Sequence, residues 1–138
     1  MVRIMAADNP VAFCTAGALA VLGVSHTYWA CGGRRGKRAV IPQRGPGPNS
    51  APLLRPSRTA TIAVALALFL AAAVTIDGAA AGNLVLALLF GLRAVGDFRW
   101  VGFSKRVRTT PFARWDTWLY SPLSLALSWG CLMSSGQF

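Results

Sequence analysis

Charge is absent from three long stretches of this sequence. No Asp, Glu, Lys or Arg occurs from Asn9 to Gly33, from Thr59 to Ile76 or from Thr117 to Phe138, and Asp77 alone separates the second stretch from a further uncharged run, Gly78 to Leu92. A helix crossing about 30 Å of hydrocarbon needs roughly 20 apolar residues. Three runs reach that length unaided, and the fourth reaches it if its helix continues past Arg93 to Trp100. A soluble helix would carry a polar face, and none of these runs has one. The 54% apolar content over 138 residues fits one membrane domain.

The net charge of +10 raises the question of nucleic-acid binding. Its distribution answers differently. Seven of the 14 basic residues fall between Arg34 and Arg58, and five more, Arg99, Lys105, Arg106, Arg108 and Arg114, lie between the third and fourth runs. In a four-span chain these two loops share one side. The other side holds Arg3 against Asp8 before the first span, Asp77 in the second hairpin and an uncharged C-terminus. The positive-inside rule places the basic loops in the cytoplasm and both termini outside, with anionic lipid headgroups as the expected partner rather than nucleic acid. Cys14, Cys31 and Cys131 form no metal-binding spacing, and no metal or cofactor is expected. Cys14 and Cys131 would both sit in the outer halves of their spans, where a disulfide is conceivable; two small buried apolar residues is the simpler reading.

The expected spans are residues 10–31, 59–76, 79–100 and 117–136. The first is read as uncleaved, because the positive cluster follows the apolar segment instead of preceding it. Residues 32–58, rich in Gly, Pro and Arg, read as an extended, mobile cytoplasmic loop. The turn at Asp77-Gly78 predicts that spans two and three pack as an antiparallel hairpin, with Gly78 and Gly82 permitting close approach. Trp100, Phe103, Phe112, Trp115 and Trp118 resemble an interfacial aromatic belt. Asp116 stands where an N-cap for span four is needed, and Pro122 falls in its first turns.

This topology gathers polar residues at one depth. Span one ends with His26 and Tyr28, span three with Arg93, Asp97 and Arg99, and span four begins with Asp116, Tyr120 and Ser121. Counted back from Trp100, Arg93 would lie about 10 Å inside the membrane at 1.5 Å per residue. An arginine there costs roughly 2.5 kcal/mol or more unless it is paired or faces water. Asp97, four residues on, is the expected partner on the same helical face. His26 could exchange a proton with Asp97 or Asp116, although a lone histidine at a helix end commonly makes a structural hydrogen bond.

Two motifs carry a resemblance. His26-x-Tyr28-Trp29-x-x-Gly32-Gly33, and Arg93-x-x-Gly96-Asp97-Phe98 followed by Gly102-Phe103-x-Lys105, Thr110-x-Phe112-Ala113-x-x-Asp116 and Tyr120-Ser121-Pro122-Leu123, resemble the domain of unknown function 3995 family. That resemblance implies a small four-span protein of a bacterial inner membrane. It brings no established activity.

The reading is an all-α membrane four-helix bundle with both termini outside. Its candidate polar site, for an anionic or lipid-headgroup ligand, comprises His26, Tyr28, Arg93, Asp97, Lys105, Asp116 and Tyr120. Arg93 and Lys105 would supply charge, Asp97 would orient Arg93, and the others would supply hydrogen bonds. The alternative is an accessory protein whose polar cluster only locks helix ends together. Transport ranks third, because no polar path is evident in the outer halves of the spans.

Overall fold

The computed structural model describes residues 9–45 and 50–136, the side chain of Arg38 excepted, so Arg3 and Asp8 lie outside the described residues. It is all-helical: α1 (Pro10–Ala30), α2 (Lys37–Val40), α3 (Arg58–Asp77), α4 (Ala80–Val95), α5 (Pro111–Trp115) and α6 (Ser121–Ser134), with a π-helical turn, Asp116–Tyr120, joining the last two. The helix starts follow from their capping residues. Asn9 Oδ1 accepts from the Val11 and Ala12 amides at 3.0 and 3.4 Å, with Pro10 supplying a preset φ. Ser57 Oγ accepts from the Ala60 amide at 3.1 Å. Gly78, at φ 71°, ends α3 in the left-handed conformation that glycine tolerates best.

Two helices, α1 and α3, are long and apolar enough to cross a membrane; α4 is a shorter apolar helix. The interior is built from small side chains. Ala16, Leu19, Ala71, Ala72 and Leu127 form the central cluster. Gly23 lets the Phe69 ring approach so closely that a Cβ would lie 2.9 Å from Cε1. The bulkier apolar residues point outward, among them Val21, Leu66, Leu70, Leu88, Leu125 and Trp129. Helix α1 lies along α3, and α4 along α6, with α1 also meeting α6. The expected hairpin of α3 with α4 is therefore not the main pairing. These two touch near their turn, where a Cβ on Gly82 would strike the Val74 side chain.

Three further expectations change. Helix α4 stops at Val95 instead of continuing to Trp100, because Gly96 adopts φ 91° and ψ −169°, a conformation essentially restricted to glycine. The last helical segment begins at Pro111, with Thr110 rather than Asp116 as its N-cap; Thr110 Oγ1 accepts from the Ala113 amide at 3.1 Å. The π turn follows because Pro122 lacks an amide proton and its ring would crowd the carbonyl four residues back. One wider turn, closed by the Ser121 amide on the Asp116 carbonyl, absorbs the misfit. Finally, the basic loop is partly folded. Lys37–Val40 forms a helical turn against α5, and Gln43 pairs with Pro52 through Arg44 N–H to Ala51 O (3.1 Å) and Leu53 N–H to Pro42 O (2.7 Å).

Candidate functional site

The end of α4 is sealed by the chain that follows it. The Phe103 amide donates to Ala94 O at 2.9 Å and the Ser104 amide to Val95 O at 3.2 Å, so carbonyls that a helix end normally leaves open are satisfied by protein. This fold-back brings the backbones at Gly96 and Gly102 together, and a Cβ on either would overlap the other strand of the loop. Asp97 holds the loop from within. Its Oδ1 accepts from the amides of Arg99 (3.0 Å), Trp100 (2.6 Å) and Val101 (2.9 Å). Desolvation pushes the Asp97 pKa up, but these backbone donors outweigh it and hold the group below its ordinary 3.8. Asp97 thus does not pair with Arg93. The four-residue spacing works only along a helix, and the helix has already ended.

The partner of Arg93 is Asp116. Arg93 Nη2 donates to Asp116 Oδ1 at 2.8 Å, and Lys105 Nζ donates to Oδ2 at 2.9 Å. Oδ2 also accepts from the Gly102 amide at 2.8 Å and the Ser121 hydroxyl at 3.2 Å. Asp116 is 0% exposed and Lys105 is 2% exposed. The ammonium also reaches Gly102 O at 2.9 Å. Arg93 sits in the last turn of α4, where a cation meets the negative end of the helix dipole, rather than several turns inside the helix. The loop motif can therefore be understood physically. Two glycines let the chain double back, Asp97 fixes the turn, and Lys105 and the Gly102 amide arrive at the carboxylate that α5 and the π turn deliver.

Beside this cluster lies a cavity of about 770 Å³, walled by the C-terminal half of α1, the N-terminal half of α3, the end of α4, the α5–α6 segment and α2. Its walls are mainly apolar, including Leu22, Leu68, Phe90, Leu123 and Leu127. Arg93, His26, Tyr120 and Lys37 supply the principal polar groups. His26 Nδ1 is 2.8 Å from Leu22 O and therefore carries the proton, and its ring meets Trp29 edge-on at 5.1 Å. Neither Asp97 nor Asp116 bonds His26, so the proposed acid–base pair is not formed. Phe112 is 3% exposed and stacks at a tilt on Tyr120, 6.1 Å between centroids, so it belongs to the cavity wall and not to an exposed belt; Trp115 and Trp118 are exposed. Tyr28 does not line the cavity. Its ring covers Gly33, and its hydroxyl accepts weakly from the Arg35 amide at 3.4 Å.

A second polar group, invisible in the linear reading, lies at the opposite end of the helices. Asn83, 0% exposed, donates through Nδ2 to Ser134 O at 3.3 Å and to Val74 O at 3.5 Å, while its Oδ1 has no hydrogen-bond partner among the described residues. Buried Thr75 and Cys131 lie close by, 4.0 Å apart. Buried polar residues therefore also occur at the helix ends away from the Arg93 cluster, where none was expected. Asn83 falls in an uncharged run, which hid it. Cys131 is buried and Cys14 exposed, and both are free thiols.

The family model for the protein of unknown function DUF3995 matches residues 19–131, which include both motifs and the whole Arg93–Lys105–Asp116 cluster. The chain belongs to the DUF3995 family. No curated protein and no solved structure matches it. In this DUF3995 chain, then, the matched region contains the residues that close the loop and bury the ion cluster.

Proposed function

We propose that this protein crosses a bacterial inner membrane four times and holds an anionic amphiphile in the cavity at its cytoplasmic end, head against Arg93 and chain among the apolar walls. Support for the crossings comes from the inverted arrangement of side chains: small and hydroxylated residues inside, large apolar ones outside, on all four helical segments. Helix α4, at 16 residues, spans about 24 Å, short of the hydrocarbon thickness. The fold-back at its end satisfies the last helical carbonyls with protein donors, which suits a short helix that stops at the membrane boundary. Both strongly basic loops adjoin the cavity end, which favours the cytoplasm for that side. In a Cys14→Ser, Cys131→Ser background, exposed Cys31 should react with an impermeant maleimide in inside-out vesicles and not in intact cells. Labelling in intact cells would reverse the orientation.

The observation that carries the ligand reading is the state of Arg93. Its Nη2 is committed to a carboxylate already shared with Lys105, and the side chain, 35% exposed, stands on the wall of a largely apolar cavity. A cation whose one carboxylate is shared leaves net positive charge beside apolar walls, and an anionic head would neutralise it. Native mass spectrometry of protein extracted in a non-ionic detergent should find an anionic lipid-sized adduct on the wild type and none on Arg93→Gln. If the wild type carries no adduct and the substitution only lowers the melting temperature, the cluster is a structural tie and this reading is wrong.

A further inference from the structure

The charge around the cavity exceeds what one monovalent head can neutralise. Arg93 and Lys37 stand on its wall, no carboxylate does so among the described residues, and Asp116 behind Arg93 is shared with Lys105. Counting the two wall cations with the Lys105–Asp116 pair behind Arg93 gives three cations and one carboxylate, an excess of two positive charges around largely apolar walls. Uncompensated charge in such surroundings is costly, and a dianion would cancel the excess where a monoanion would leave half of it.

Lys37 is held there by the local fold. Gly36, at φ 77°, turns the chain into α2, and the Ala39 amide closes the turn on Gly36 O at 2.9 Å. Trp29 Nε1 donates to Arg35 O at 2.9 Å, tying this segment to the end of α1, and α2 rests against α5 on the other side. His26 adds a further polar edge: with Nδ1 engaged by Leu22 O, Nε2 is its remaining ring nitrogen. The rest of the wall is largely apolar, including Leu68, Phe90 and Leu127. The volume of 770 Å³ lies within the roughly 300–1,000 Å³ of small-molecule sites, which suits a single chain.

We infer that the amphiphile is a single-chain phosphate monoester, its dianionic head held between Arg93 and Lys37, with Lys37 setting the preference for two charges over one. This rests on the anionic-amphiphile reading above and narrows it. Arginine offers a planar fork to phosphate oxygens and lysine a point charge, a complementary pair for a tetrahedral dianion.

The test compares dodecyl phosphate, dodecanoate, dodecylphosphocholine and inorganic phosphate by binding to the full chain in a maltoside detergent. The pH is held at about 8, above the second phosphate pKa of roughly 6. Dodecyl phosphate should bind at least about tenfold more tightly than dodecanoate or dodecylphosphocholine, and Lys37→Gln should reduce that preference to about twofold or less. Equal binding of dodecyl phosphate and dodecanoate overturns the dianion inference while leaving the anionic-amphiphile reading intact. Inorganic phosphate competing as strongly as the dodecyl ester would show that no chain is read and would overturn the lipid assignment. A preference that survives Lys37→Gln would remove Lys37 from its role. Failure of every probe to bind overturns both readings.

Discussion

Asp116 accepts hydrogen bonds from Arg93, Lys105, the Gly102 amide and Ser121, and it is wholly enclosed. Replacing a buried ion cluster by apolar groups can be nearly neutral, whereas removing one partner strands the others. Asp116→Asn leaves two cations facing a neutral amide and should cost about 3–5 kcal/mol. Lys105→Met leaves Arg93 and Asp116 paired one to one and should cost less, about 1–3 kcal/mol. Thermal unfolding of the two variants in the same detergent checks the order, and equal losses would mean that the carboxylate is not the hub. Asp97 acts on the backbone instead. Because its folded pKa lies below the unfolded value near 3.8, its contribution is complete above that value and is lost as pH falls through the folded pKa. Asp97→Ala should therefore unfold at lower temperature than wild type at neutral pH, with the gap narrowing in acid. A constant gap would assign the loss to packing. The importance of Arg93 was legible in the sequence because a lone arginine in an apolar run needs a partner. The identity of that partner was not, since the helical spacing that pointed to Asp97 stops applying at Gly96.

At the scale of elements, the first two uncharged runs are helices because nothing in them interrupts the backbone and Asn9, Ser57 and Gly78 mark their ends. The ends of α4 and the start of the last helical segment were harder to read. Apolar length argued for continuing α4 to Trp100, whereas Gly96 ends the helix in a conformation essentially restricted to glycine. Asp116 resembled a cap because it stands next to the apolar run, whereas Thr110 with Pro111 starts the segment. In both cases the local signal, a glycine-only conformation or a Thr-Pro start, outweighed hydropathy. The tight crossing at Gly96 and Gly102 gives a clear contrast. Gly102→Ala forces a Cβ into backbone at a positive φ of 86° and should abolish the folded monomer in size-exclusion chromatography or lower its melting temperature sharply. Gly17→Ala meets nothing within 4 Å inside α1 and should be neutral, or stabilising by up to about 1 kcal/mol. Comparable losses in both variants would count against the fold-back geometry.

Across the whole molecule, interior and exterior exchange the roles they have in a soluble bundle. Alanine, glycine and hydroxyl residues lie inside, where they allow close helix approach, and leucine, valine and tryptophan lie outside, as expected of helices solvated by lipid chains. Composition made that much legible. It concealed the cavity, which arises only when the halves of α1, α3, α4 and α6 on one side fail to fill the space that α2 covers. In the proposed function this space receives the chain of an anionic amphiphile. A photoreactive alkyl phosphate, cross-linked to the protein in membranes and mapped by peptide mass spectrometry, tests it most directly. Labelling is expected at Leu22, Leu68, Phe90 and Leu127, and Arg93→Gln should strongly reduce it. Labelling spread over outward-facing Leu70, Leu88 and Leu125, equal in wild type and variant, would contradict it.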